Sequence, residues 1–314
     1  MPQVLIAEFM DEAAVASLAT RYATQYDPEL GGRRAALMSA VTDAHALIVR
    51  NRTRVDAELI SAAAKLRVVG RLGVGLDNID LAACAKRAIE VIPATGANSL
   101  AVAEYVMATA FSLIRGAYFS TAAVAAGEWP RAALGSGREL QGRTLGIVGF
   151  GSIGRATSRV GRAIGMTTIG FDAYIPASAS AWEEESTTPR PFDMLLREAD
   201  VVSLHVPLSP ATRGLLDAEA LSLMKRDAIL VNTARGGIVD EAALAAALKA
   251  GAIAGAAIDV FQTEPLPAGS PLAGCPNLIL TPHIAGVTRE SNVRVSTLVA
   301  DKVAAALDAL GVTA

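Results

Sequence analysis

Short, wholly apolar runs alternate with Ala-rich stretches of helical period along almost the whole chain. Runs at Val4–Ala7, Ala46–Val49, Val68–Val69 and Ile89–Ile92 are continuous rather than alternating, which is the signature of parallel strands covered on both faces. Val55–Ala64 and Leu81–Ala88 read as helices between them, so the first hundred residues predict a small βαβ domain. A long helix is predicted over Ser99–Arg115, with Asn98 or Ser99 as N-cap. Gly127–Gly142, rich in Gly, Pro and Arg, reads as an irregular connection. A second unit opens with a strand at Thr144–Val148, a glycine turn and a helix reaching about Ile164, where Gly165 is a fitting stop. Further strands are predicted at Thr167–Phe171, Val201–Val206, Ala228–Val231, Ala254–Val260 and Leu278–Leu280. The polar stretch Ala179–Pro191 reads as a surface loop or short helix. Asp240 caps a helix ending near Lys249 and Gly251, and Ser291–Leu310 is helical. The fold class is therefore α/β: two Rossmann-like or flavodoxin-like domains with parallel sheets and a cleft between them. The expected division is residues 1–98 plus 287–314, a discontinuous domain, and residues 99–286.

Composition narrows the function classes. With 28 Lys and Arg against 31 Asp and Glu, the net charge of −3 offers no broad basic surface for nucleic acid. The longest apolar stretch, Leu100–Ile114, contains Glu104 and is too short to span a membrane. The N-terminus has no basic segment and soon meets Glu8, Asp11 and Glu12, which argues against a signal peptide. Cys84 and Cys275 stand apart from each other and from any His, so they read as reduced structural thiols and no metal site is expected. A cytoplasmic location follows as an expectation.

Gly149-Phe150-Gly151-Ser152-Ile153-Gly154 matches the dinucleotide fingerprint, and its context matters more than the motif: a strand precedes it and a helix follows. The first glycine allows the tight turn, the second lets a pyrophosphate approach the backbone, and the third lets helix and strand pack closely. Asp172 ends the next strand and is placed to accept hydrogen bonds from the adenosine ribose hydroxyls. A carboxylate there repels a 2′-phosphate, so NAD is expected over NADP.

Three charged residues follow three late strands: Arg235 after Ala228–Val231, Glu264 after Ala254–Ile258, and His283 after Leu278–Leu280. Loops after parallel strands lie on the sheet edge where open α/β folds bind ligands. A guanidinium fork suits a carboxylate, an imidazole moves protons near neutral pH, and a neighbouring carboxylate keeps its charged form available. That set suits hydride transfer between a 2-hydroxy and a 2-oxo acid. The chain has three His. His45, before a strand, reads as structural, and His205 lies at the end of an otherwise apolar strand with no glutamate loop after it.

These segments, with Gly70-Arg71-Leu72-Gly73-Val74-Gly75-Leu76-Asp77-Asn78-Ile79-Asp80, Asn98–Glu104, Glu139–Gly146 and His205–Thr212, resemble the D-2-hydroxyacid dehydrogenase family over nearly the whole chain, nearest its phosphoglycerate dehydrogenase branch. The resemblance implies that Arg235 binds the substrate carboxylate and 2-oxo group, that His283 carries the proton, and that Glu264 hydrogen-bonds His283 and favours its protonated form. It implies that Asp259 holds the nicotinamide carboxamide, that Gly73 and Val74 offer backbone groups to substrate and cofactor, and that Ser152 and Ile153 cover the pyrophosphate. Val206 and Thr212 would line the cofactor groove, with Ala234 and Gly286 also beside the cofactor. The division into residues 1–98 plus 287–314 and residues 99–286 would then be substrate-binding and NAD-binding domains. The Ser99–Arg115 helix would lie in a homodimer interface. The branch often carries C-terminal regulatory domains, and this chain ends soon after its closing helix, so feedback through such a domain is not expected.

Arg50 and Arg71 both leave strands in the first domain and are expected to hold a second anion on the substrate, such as the phosphate of 3-phosphoglycerate or the sulfonate of 3-sulfolactate. Two rival readings stay open. One is an NADPH-dependent glyoxylate or hydroxypyruvate reductase, which Asp172 disfavours; formate dehydrogenases carry an amide where Glu264 stands. The other is a NAD-sensing, corepressor-like binding protein of the same fold.

Overall fold

A computed structural model describes residues 3–312. The chain forms two compact units, residues 1–98 with 287–314, and residues 99–286. The first holds a five-stranded parallel sheet of β1 (Val4–Ile6), β2 (Thr24–Tyr26), β3 (Ala46–Val49), β4 (Val68–Arg71) and β5 (Glu90–Pro93), in the order β2-β1-β3-β4-β5. That order is flavodoxin-like, with the switch point between β1 and β3. One face of this sheet packs on the Arg289–Ala309 helix: Val295, Val299, Val303 and Leu307 share a core with Val4, Ile6, Ile48 and Val68. Gly70 permits this approach, since a Cβ there would lie 2.8 Å from Val299 Cγ1. The helix begins with a capping box in which Thr288 and Ser291 serve each other's amides.

The second unit holds β6 (Thr144–Val148), β7 (Thr167–Phe171), β8 (Thr188–Pro189), β9 (Val201–Leu204), β10 (Ile229–Asn232), β11 (Gly255–Ile258) and β12 (Leu278–Leu280). All pairs are parallel and the order is β12-β11-β10-β9-β6-β7-β8. Chain order reverses between β6 and β9, so the crevice after β6 is the Rossmann switch point. The Ser99–Arg115 helix covers one face through Val102, Val106, Met107, Ala110 and Leu113, against Leu145, Ile147, Val201, Ile229 and Val231.

The structure refines the sequence reading in several places. Thr24–Tyr26 is an edge strand with no apolar run to betray it. Within Ala179–Pro191 the short helix alternative holds at Ser180–Glu184, and the two-residue strand β8 is the addition. The helix expected over Val55–Ala64 is only Ala57–Ala62, because Asp56 caps it through the Leu59 amide and Val55 joins a bridge to Ile79. Gly127–Gly142 contains a single turn of helix at Arg131–Leu134. Among the described residues no single helix is long and apolar enough to cross a membrane, and no cluster of His, Cys, Asp or Glu could hold a metal ion.

Candidate active site

The glycine turn shows three separate reasons for its three glycines. Gly149 has φ 95° and a Cβ there would lie 2.6 Å from the His205 carbonyl oxygen and 2.9 Å from Val206 Cγ1. A Cβ on Gly154 would lie 2.1 Å from the Gly149 oxygen, which is the close packing of helix on strand. Around Gly151 the space is open: a Cβ would meet nothing within 4 Å. Gly151 is also the N-cap of the Ser152–Ala163 helix and supplies no side chain to its first amides, those of Ser152 and Ile153. An open approach to a helix N-terminus without a side-chain cap is what a diphosphate requires, so these residues fit a dinucleotide. At the end of β7, Asp172 accepts from the Phe150 amide through Oδ2 at 2.8 Å and from the Tyr174 amide through Oδ1 at 2.9 Å. The carboxylate is thus oriented from two sides and retains lone pairs on both oxygens for a ribose diol. Thr212 closes its own loop, accepting from the Ser209 amide and donating to the Pro207 carbonyl.

β10, β11 and β12 are neighbours in the sheet, so the loops after them emerge side by side. Asn232, buried at the end of β10, shapes the first loop: its amide oxygen accepts from the Ala234 amide at 3.1 Å and its nitrogen donates to the Arg235 carbonyl at 3.1 Å. Gly236 lets that loop run against the next, since a Cβ there would lie 1.8 Å from the Phe261 oxygen. In the second loop Glu264 accepts the Phe261 amide through Oε1 at 3.0 Å, and its Oε2 meets His283 Nδ1 at 2.8 Å. The two charged residues expected to cooperate are therefore in direct contact.

Asp259 sits 1% exposed beneath the third loop. Its Oδ1 accepts from the Ile284 amide at 2.9 Å and the Thr281 hydroxyl at 2.6 Å, and its Oδ2 from the Ala285 amide at 2.8 Å. Three donors on a buried carboxylate make Asp259 the anchor of the His283 loop, which continues through Ala285 to Gly286, a role its expected place beside the nicotinamide did not foretell. Tyr105, on the Ser99–Arg115 helix, extends the chain with a 2.5 Å contact to Thr281, and burial pushes its phenol up to about 12, so it stays neutral. Asn232, Thr281 and Tyr105 were not singled out by sequence. A polar residue closing an apolar run was the one signal available for Asn232.

His205 is excluded from proton transfer by its surroundings. Burial pulls its pKa down to about 3, and its Nε2 contacts Ser203 Oγ at 2.9 Å. Burial likewise lowers His45, which lies at the opposite end of the first unit's strands.

Arg50 follows β3 at the switch point of the first unit. Glu8, 2% exposed after β1, binds the amides of Arg50, Arg52 and Thr53, folding this loop around its carboxylate. The Arg50 guanidinium donates to the Asn292 amide oxygen at 2.9 Å and lies over the face of Phe9, and the neighbouring Glu8 carboxylate favours its charged form. Burial lowers its pKa, the mark of a desolvated cation. Arg52 makes ion pairs with both Glu29 and Glu8. Arg71 folds back along its own loop, donating to the Leu72 carbonyl at 2.9 Å, and Gly73 leaves room for it, with Val74 next in the turn.

Comparisons with known proteins identify the family. The family model for the NAD binding domain of D-isomer specific 2-hydroxyacid dehydrogenases matches residues 107–285. The chain is 55% identical over 307 residues to an (S)-sulfolactate dehydrogenase of Chromohalobacter salexigens, covering 98% of this chain and 99% of that protein. It is 39% identical to a D-3-phosphoglycerate dehydrogenase of Methanocaldococcus jannaschii, covering 96% of this chain but 57% of that longer protein. A crystal structure of the TT0316 protein from Thermus thermophilus superimposes with a TM-score of 0.85 at 35% identity, over 98% of this chain and 97% of that one. With a Rossmann switch point that fits a dinucleotide and a Glu264–His283 pair on the adjoining loops, the chain belongs to the D-isomer-specific 2-hydroxyacid dehydrogenase family and is an NAD-dependent oxidoreductase.

Proposed function

We propose that the protein interconverts 3-sulfolactate and 3-sulfopyruvate, with 3-phosphoglycerate as the second-ranked substrate. The observation that carries the distal anion is Arg50: a largely desolvated guanidinium whose direct contacts are the Asn292 amide oxygen and the Phe9 ring, with Glu8 acting on it as a neighbouring charge, so that a sulfonate or phosphate would give it a direct anionic partner. The sulfolactate dehydrogenase named above acts on the S isomer, which is consistent with a D-specific family. Sulfur raises the priority of the sulfomethyl group above the carboxylate, so the S descriptor of sulfolactate denotes the same spatial arrangement as D-lactate. Of the two arginines, Arg50 is the stronger candidate, because Arg71 already serves its own loop.

NAD supplies the acceptor for the hydride that leaves C2 of the alcohol. The rest of the chemistry belongs to the chain. Arg235 holds the C1 carboxylate and the C2 oxygen by its fork. Neutral His283, donating from Nδ1 to Glu264, has its Nε2 lone pair available for the hydroxyl proton as the carbonyl forms. In reduction the imidazolium returns that proton while Glu264 balances its charge. Asp172 receives the adenosine ribose, Ser152 and Ile153 the diphosphate, and Ala234, Val206, Thr212 and Gly286 line the groove. Residues 1–98 with 287–314 serve as the substrate domain and 99–286 as the cofactor domain. Exposed Tyr118, Phe119, Val124 and Trp129, just after the Ser99–Arg115 helix, support a homodimer through this region. A cytoplasmic site suits two unpaired cysteines.

The test is NADH formation with (S)-3-sulfolactate, D-3-phosphoglycerate and D-lactate. Sulfolactate should exceed lactate in kcat/KM by at least about tenfold, as 1.4 kcal/mol suffices, and Arg50→Ala should remove most of that preference while sparing lactate turnover. A parent enzyme that prefers lactate sinks the distal-anion reading. No turnover with any of the three acids sinks the sulfolactate and phosphoglycerate assignments and turns the screen to other 2-hydroxy acids.

A further inference from the structure

We infer that Trp182 is a positioning residue for NAD: by stacking on Phe150 it fixes the glycine turn against Asp172 and so sets both the affinity for the adenosine half and the discrimination against a 2′-phosphate. The inference rests on the reading of Asp172 as the ribose acceptor.

Phe150 lies between Gly149 and Gly151, the two residues with most backbone freedom in the turn. Something must hold it. Its ring is fully buried and stacked on the Trp182 indole, with centroids 4.2 Å apart and planes 20° apart. The Arg155 guanidinium covers the ring at 5.7 Å, and its Nε donates to the Phe150 carbonyl at 3.1 Å. Trp182 is itself tied down, 3% exposed, with Nε1 donating to the Pro176 carbonyl at 3.0 Å. Gly170 on β7 makes room for the indole, since a Cβ there would lie 2.6 Å from Trp182 Cζ3.

These contacts close a ring of structure. The Gly149 amide donates to the Phe171 carbonyl at 2.8 Å, and the Phe150 amide to Asp172 Oδ2 at 2.8 Å. From Asp172 the chain runs through Tyr174, whose amide holds the other carboxylate oxygen, to Pro176 and Trp182, and the stack returns to Phe150. The orientation of the Asp172 carboxylate therefore depends on where the Phe150 amide points, and that depends on the ring. Trp182 needs no contact with the cofactor to matter. Without the indole, Phe150 gains freedom, the carboxylate loses one of its two fixed donors, and a bulkier 2′-substituent meets a yielding wall in place of a rigid one.

The experiment compares Trp182→Leu, Trp182→Phe, Phe150→Leu and Asp172→Asn with the parent. Calorimetric Kd values are measured for ADP-ribose, NADH and NADPH, with thermal melts to establish that each variant is folded. Trp182→Leu is expected to weaken ADP-ribose and NADH by about tenfold, the scale of a lost aromatic pair, and to narrow the NADH-to-NADPH ratio. At saturating NAD its kcat should stay within about twofold of the parent, because adenosine binding is uniform between ground and transition states. Trp182→Phe, which keeps a ring on Phe150, should stay close to the parent in all three ligands. Should Trp182→Leu fail to fold, Phe150→Leu removes the same stack from the other side and carries the same expectation. A folded ring-less variant with the parent's ADP-ribose Kd and NADH-to-NADPH ratio overturns the inference. Asp172→Asn separates the two layers: if it leaves the ratio unchanged, the ribose reading of Asp172 has failed and the inference falls with it.

Discussion

Asp259 holds His283 in a left-handed backbone from both sides. The His283 amide donates to the Asp259 carbonyl at 2.8 Å, and the Asp259 carboxylate takes the amides of the two residues that follow, Ile284 and Ala285. His283 sits at φ 58°, a region L-residues enter at a cost of about 1–3 kcal/mol. A glycine would accept that backbone freely but has no imidazole. The buried carboxylate over-determines the turn and so presents the ring to Glu264.

Asp259→Asn should expose this dependence. An amide offers one acceptor where two now serve three donors, so a buried amide is left facing an NH2 group. The expected loss is about 1–3 kcal/mol of stability, read from denaturant unfolding, with a fall in kcat at temperatures where the variant is still folded. Parental stability and turnover together would show that the anchor is dispensable.

His283→Ala should lower kcat by roughly 10²–10⁴-fold, the usual worth of a positioned acid or base. NADH binding, which this reading assigns to other residues, should hold near the parent's Kd. A variant retaining most of its turnover would rule out a proton role at this position.

Glu264→Gln should leave the loop folded, because Gln retains an oxygen for the Phe261 amide. It removes the charged acceptor 2.8 Å from Nδ1 that orients the His283 ring, so kcat should fall while the melting temperature and the NADH Kd stay near the parent's. Parental kcat in a folded variant would remove Glu264 from the positioning of His283.

Two glycine substitutions should fail in opposite ways. Gly151→Ala adds a methyl to open space and should melt like the parent, yet raise the KM for NAD where the diphosphate needs close approach. Gly154→Ala forces a Cβ onto the Gly149 oxygen and should cost about 1–3 kcal/mol through overpacking. Equal effects of the two on stability would contradict this division of labour.

Asp172→Ser should narrow the preference for NAD over NADP, measured as a ratio of kcat/KM, by removing the charge that repels a 2′-phosphate. A parent that already uses both cofactors equally would defeat the assignment at once.

Legibility followed chemistry that repeats along the chain. β6, β7, β10, β11 and β12, the helix at Ser99–Arg115 and the glycine turn announced themselves through continuous apolar runs and turn residues. Glu264 and His283 were legible because each charge follows such a run. β2 and β8 were not, since Thr24–Tyr26 and Thr188–Pro189 are short edge segments with no apolar run, unlike the edge strand β12 with its Leu-Ile-Leu. The anchoring by Asp259, the stack of Trp182 and the loop closure by Glu8 are contacts with backbone amides or rings distant in sequence, and no local pattern encodes those.

The Arg289–Ala309 helix has a consequence for synthesis. Val4, Ile6, Ile48 and Val68 emerge from the ribosome first, yet the face they share is closed by Val295, Val299, Val303 and Leu307, which emerge last. Tyr22 waits for the Ala304 carbonyl, and the Asp11 amide for Ser296. The intervening unit carries its own core and can fold during that interval. The first sheet's apolar face therefore lacks its covering helix until residues 289–309 have been made.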